Sequence, residues 1–175
     1  MLSFCDRPDD GPGLKRARWG LLATPQEVSD DQKMSTAATV LHVQVRFPGR
    51  DQIEAQLQNG VWSIQVIGCF QLQDQVAQRQ KQEADLTKWA LPEGHHHTDL
   101  LLRELILKAR QEWNFPYFEA EICHCRSVPT DIVDQAILAG AHDTRKVSAQ
   151  TAASTNCGTC RPDVQKVLNY RLGVK

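Results

Sequence analysis

Four cysteines constrain this chain more than any other feature. Cys123 and Cys125 stand in the stretch EICHCRS, and Cys157 and Cys160 in TNCGTCRP. A pair one or two residues apart delivers two sulfurs from a single turn of backbone. A second pair must then arrive from elsewhere to close the shell around a small centre. Zinc and iron–sulfur clusters are the usual occupants of such a shell. The chain has 6 cysteines in all, so two short-spaced pairs with 31 residues between them are a specific signal. Zinc sites usually use Cys-x-x-Cys in both halves. The tighter Cys-x-Cys here favours a cluster and keeps zinc as the alternative. Disulfides are the weakest reading, because the N-terminus MLSFCDRPDD has no secretory h-region.

The flanking residues suit an anionic centre. Gly158 lies between the second pair, where a backbone without Cβ turns tightly. Pro162 sits at a natural helix start, so a helix from about Arg161 would aim its positive end at the thiolates. Arg126 and Arg161 are expected to lower the charge further.

Residues 122–170 resemble the [2Fe-2S] domain of bacterioferritin-associated ferredoxin (BFD), which is also the middle domain of NifU-type cluster scaffold proteins. The resemblance rests on Cys123-His124-Cys125, a helical insert through Asn156, Cys157-Gly158-Thr159-Cys160, and a closing helix over Arg161–Tyr170. It implies that Cys123, Cys125, Cys157 and Cys160 ligate one [2Fe-2S] cluster near the surface of a small all-helical module. It also implies a role in electron transfer, iron homeostasis or cluster assembly, among which the fold alone does not choose.

The remaining chain reads as an α+β domain preceded by an arm. Residues 1–33 are polar and rich in Pro and Gly, and are expected to be poorly ordered. Cys5 in this arm reads as a bystander, and Lys15–Arg18 as a solvated charge run. Leu41, Val43, Val45 and Phe47 alternate with polar residues, as do Ile53, Ala55 and Leu57, and then Trp62, Ile64 and Val66. Pro48-Gly49 and Asn59-Gly60 punctuate them, which predicts a three-stranded antiparallel meander. After Gly68-Cys69 a glutamine-rich helix is expected over about Phe70–Gln82. A second helix should start at a Thr98 N-cap and bury Leu102, Leu105, Ile106, Ala109 and Trp113 before Pro116. Phe115, Tyr117 and Phe118 are candidates to pack the two parts together. The last third should contain a helix over Pro129–Ala139 with Ile132 inward, a short helix near Thr144–Thr151, and the closing helix. The expected fold is therefore a three-stranded antiparallel sheet with helices plus a small all-α C-terminal iron–sulfur module. The domains are expected at 34–116 and 117–175.

Residues 39–113 also resemble, more weakly, a degenerate scaffold domain of the NifU/IscU family. Gly68-Cys69 after the last strand and Leu91-Pro92 before the last helix carry this resemblance, with His96 or His97 at the family histidine. No cysteine lies between Cys5 and Cys69, and Thr98 stands where a last cysteine is expected. One thiolate with histidines is a poor shell for a cluster. The resemblance therefore implies a domain that has lost scaffold activity. His95, His96 and His97 read as polar loop residues, since adjacent side chains point in different directions. Cys69 reads as a small buried side chain.

Composition limits the partners. With 20 basic and 21 acidic residues the formal net charge is −1, which gives no hint of a general nucleic-acid surface. No apolar run reaches the ~20 residues that span a bilayer. No catalytic triad, Walker loop or dinucleotide glycine signature appears. The expectation is a cytoplasmic, non-enzymatic [2Fe-2S] protein with a redox or iron–sulfur assembly protein as partner. The alternative is a zinc-stabilised module that recruits an assembly enzyme.

Overall fold

The alternating apolar runs become β1 (Leu41–Phe47), β2 (Asp51–Gln58) and β3 (Val61–Ile67), paired antiparallel in the order β1-β2-β3. The computed structural model describes residues 40–174, so the predicted arm, Cys5 and Lys15–Arg18 lie outside the described residues. The Asn59-Gly60 turn takes two left-handed residues, φ 51° and 77°. Two such residues match the twist of the strands that they join. Val43, Val45, Ile53 and Ala55 are buried on one face, while the inward residues of β3 are only half-buried.

Helix α1 (Phe70–Gln82) has the predicted limits and buries Leu72 and Val76. Helix α2 (His97–Ala109) packs on the sheet against β1 and buries Leu101, Leu102, Leu105 and Ile106. Both of its ends differ from the sequence expectation. The N-cap is His96, two residues before Thr98, and Asp99 closes a reciprocal capping box. At the other end Gln111 turns left-handed (φ 60°). Glu112 N–H donates to Leu107 O at 2.8 Å and Gln111 N–H to Lys108 O at 3.0 Å, the Schellman pattern. Without a glycine there, the stop was hidden in the sequence. Trp113 therefore lies beyond the helix and stacks on Phe115.

The last third adds a short ladder of β4 (Glu121–Cys123) with β5 (Val128–Pro129), then α3 (Thr130–Leu138), α4 (Thr144–Thr151) and α5 (Arg161–Leu172). The ladder is an addition to the all-helical expectation. Ile132, expected inward, is 41% exposed, because α3 turns Val133, Ala136 and Ile137 inward instead. The described residues belong to one compact unit, and one apolar core runs past position 116. Phe115 and Tyr117 pack against that core, whereas Phe118 is exposed.

A buried ion cluster joins the sheet-bearing part to the last third. Arg171 of α5 donates to Glu104 of α2 and, through two nitrogens, to Asp134 of α3. Its guanidinium also lies 4.9 Å from the Trp113 ring centroid. Removing any partner from such a buried cluster would leave a charge uncompensated. No helix of the described residues is long and apolar enough to cross a membrane.

Candidate metal centre

The two cysteine pairs are brought together from opposite ends of the last third. Cys123 ends β4 and is fully buried, and Cys125 follows in a single tight turn and is exposed. That turn closes on Ser127, which takes a left-handed φ of 47°. Cys157 is exposed and Cys160 is buried at the N-cap of α5, with Gly158 between them at φ +76°. All four line one surface pocket with Tyr117, Glu119, Ile122, His124, Thr159 and Asp163. The Cys123 and Cys125 sulfurs are 3.8 Å apart, and Cys125 and Cys157 are 3.4 Å apart. With metal–sulfur bonds of ~2.3 Å, neighbouring corners of a tetrahedron sit roughly 3.8 Å apart. Two sulfur pairs thus stand near that spacing, and the Cys160 sulfur, 3.2 Å from the Ser154 hydroxyl, lines the same pocket, so the donor set suits a four-thiolate centre with two sulfurs buried and two exposed.

The charge around the pocket differs from the sequence expectation. Arg126 and Arg161 are absent from its lining, while Glu119 and Asp163 are in it. His124 points outward, 3.4 Å from Glu119 and 3.7 Å from Glu121. The positive contribution that remains is the N-terminus of α5, which begins directly after Cys160.

The thiols are not equivalent. Hydrogen bonds from the Thr159 hydroxyl and backbone N–H, then the contact with Cys125, hold the Cys157 thiol down to about 7. At Cys125 the Cys157 backbone N–H acts downward, but the Cys157 side chain, desolvation and Cys123 outweigh it and push the thiol up. In metal-free protein, alkylation of Cys157 by iodoacetamide should be half-maximal near pH 7. Cys125 should react only at higher pH. Peptide mapping by mass spectrometry after timed alkylation checks the order; simultaneous labelling of both would contradict it.

Residues 121–170 match the family of BFD-like [2Fe-2S] binding domains. The cofactor of this BFD-like segment is a [2Fe-2S] cluster. A similar stretch occurs in the nitrite reductase [NAD(P)H] large subunit of Klebsiella oxytoca, 38% identical over 53 residues. The shared stretch is 30% of this chain but only 6% of that relative. No solved structure matches the chain.

The other candidates from the sequence divide. His95 rests against His142, and His96 caps α2 with its ring on the Thr98 hydroxyl at 3.1 Å. His97 is different: it opens α2, is buried, and lies 3.5 Å from the Cys69 sulfur. Both meet Asp51, which no sequence motif singles out. A signal for it existed, since Asp51 shares the inward face of β2 with Ile53 and Ala55. An acidic residue on the core side of a strand needs a reason.

Proposed function

We propose that this chain is a non-enzymatic [2Fe-2S] protein that passes electrons to a protein partner, with Cys123, Cys125, Cys157 and Cys160 as ligands. The convergence of these four thiols on one pocket at the protein surface carries the reading. When bound, the cluster supplies a one-electron redox couple. The chain's own residues govern access to it. Cys123 and Cys160 anchor the buried side, and the exposed Cys125 and Cys157 edge is the shortest route outward. Glu119, Glu121 and Asp163 edge this face, so a partner with a basic surface fits it best. Electron transfer is favoured over the other uses because the similar stretch belongs to a protein named as an NAD(P)H reductase.

A second reading is cluster assembly, with residues 39–113 as a scaffold domain of NifU/IscU type that has lost most of its ligands. The order of three strands, a helix and a further helix after Leu91-Pro92 favours it. In this reading the cluster module donates clusters instead of electrons.

Anaerobic purification followed by iron, sulfide and zinc analysis, with visible and electron paramagnetic resonance spectra, tests the proposal. The expected result is iron and sulfide in equal amounts and a spectrum that bleaches on reduction. Colourless protein with stoichiometric zinc would instead support a zinc-stabilised interaction module. Reoxidation by a basic redox protein, weakened by salt, would support electron transfer. Loss of the cluster to an apoprotein acceptor would support assembly.

A further inference from the structure

One edge of the sheet is left open to another strand. Among the described residues β3 pairs with β2 alone, so its far side offers unbonded backbone groups. Gln58 and Val61 flank the two-residue Asn59-Gly60 turn, which makes them a hydrogen-bonded pair. Bonding then alternates along an unbroken register from Gln58↔Val61 to Gln52↔Ile67. The N–H and C=O groups of Trp62, Ile64 and Val66 therefore point away from β2.

Edge strands usually carry a device against joining another chain: a lysine, a proline, a bulge or an inward charge. The sequence of β3, VWSIQVI, has none of these, and its pairing with β2 has no register shift. The opposite edge is protected. Strand β1 contains Arg46, and Lys108 Nζ donates to the Gln44 carbonyl at 3.0 Å. Apolar side chains of β3 are also left uncovered. Val61 and Ile67 are 70% and 69% exposed on the outer face, while Trp62, Ile64 and Val66 are only half-buried on the inner one.

We infer that β3 pairs antiparallel with the β3 of a second copy of this chain, so that two three-stranded sheets become one of six strands.

A second copy is the occupant because β3 is complementary to itself. With the two Ile64 residues opposite one another, Trp62 of each copy meets Val66 of the other. Val61 likewise meets Ile67, and Ser63 meets Gln65. Apolar faces apolar and polar faces polar at every position. Moving the centre to Ser63 or Gln65 would set Val61 against Gln65 or Ser63 against Ile67. In the Ile64 register the outward groups of Trp62, Ile64 and Val66 fall on hydrogen-bonded pairs, about six bonds in all. Aromatic and β-branched residues opposite one another are a favourable cross-strand pair. No residue of the cysteine pocket belongs to β3, so pairing leaves the four thiols untouched. A single strand pair is a small interface, and a weak, concentration-dependent dimer is expected.

The test is sedimentation velocity of the full chain with its cluster loaded, over a range of concentrations. The parent should move from the mass of one chain towards twice that mass. Ser63→Lys with Gln65→Lys sets like charges opposite one another at two places. It should raise the dimer dissociation constant at least about ten-fold. Ser63→Glu with Gln65→Lys sets opposite charges there instead and should keep the dimer, less so in high salt. Both positions are exposed, and Gln65 stands opposite Glu54 within the sheet, so a lysine at 65 suits the single chain. Amide exchange of the parent reads the same contact without any substitution. The Trp62, Ile64 and Val66 N–H groups should gain protection as concentration rises. A parent that stays monomeric, a dimer that the two-lysine variant leaves intact, or a rise in mass without protection at these three amides would overturn the inference. Mass and exchange are read apart from iron and sulfide, so failure here leaves the cluster reading intact.

Discussion

Cys160→Ser should emerge from anaerobic purification colourless, with iron and sulfide lowered by at least about ten-fold per chain. Losing even a residue that only orients a metal ligand costs ~10–100-fold in affinity. Cys160 is proposed as a ligand itself, and its burial at the N-cap of α5 ties ligation to the packing of that helix. The consequence should extend to stability. Helix α4 buries only Val147, and the two-residue β5 cannot hold the turn of Cys125 by itself. Cluster binding is therefore expected to contribute to the folding of this region. Amide exchange should show α4 and α5 losing protection in Cys160→Ser while β1–β3 keep theirs. Cys69→Ser is the control and should keep its colour. A Cys160→Ser protein with the parental visible spectrum would remove Cys160 from the ligand set.

Arg171→Met should destabilise the whole chain by ~3–5 kcal/mol at pH 7, the usual effect of removing one partner from a buried ion cluster. Glu104 would keep one partner, Lys108, at 2.6 Å, whereas Asp134 would lose its only cation within the cluster. The pH dependence distinguishes this cause from lost packing. Burial already pushes the Asp134 carboxyl above its ordinary value, with Arg171 opposing. A carboxyl raised in the folded state binds its proton more readily there than in the unfolded chain. Its favourable contribution is therefore fully present below the unfolded value and is lost as pH rises through the folded one. Removing Arg171 lifts the folded value further. The deficit of Arg171→Met should accordingly shrink as pH falls from 7 towards the ordinary carboxylate range. Urea denaturation at several pH values measures this, and a constant deficit would assign the loss to packing against Trp113.

Local features carried much of the fold. The Asn59-Gly60 turn and three alternating runs predict β1–β3, because strand alternation and turn chemistry are decided within a few residues. The glutamine-rich stretch predicts α1 at its observed limits for a similar reason. The sequence misleads where an element ends without its usual residue. Gln111 takes the left-handed position that glycine normally fills, so α2 stops before Trp113. His96 caps α2 in place of Thr98, because its own ring and Asp99 complete the capping box. Ile132 faces outward because the neighbours of α3, not its own periodicity, select the buried stripe.

The sequence by itself determined the cysteine frame and the class of thiolate centre it suits, since ligand type and spacing are covalent properties of a short stretch of chain. It also determined the sheet, whose register follows from alternation and tight turns. Only the tertiary structure decided which distant side chains meet. Asp51, Cys69 and His97 are separated by 18 and 28 residues, and Glu104 lies 67 residues from Arg171. No periodic pattern connects such positions, because their approach depends on how helices pack over a sheet and on a third of the chain folding back against it.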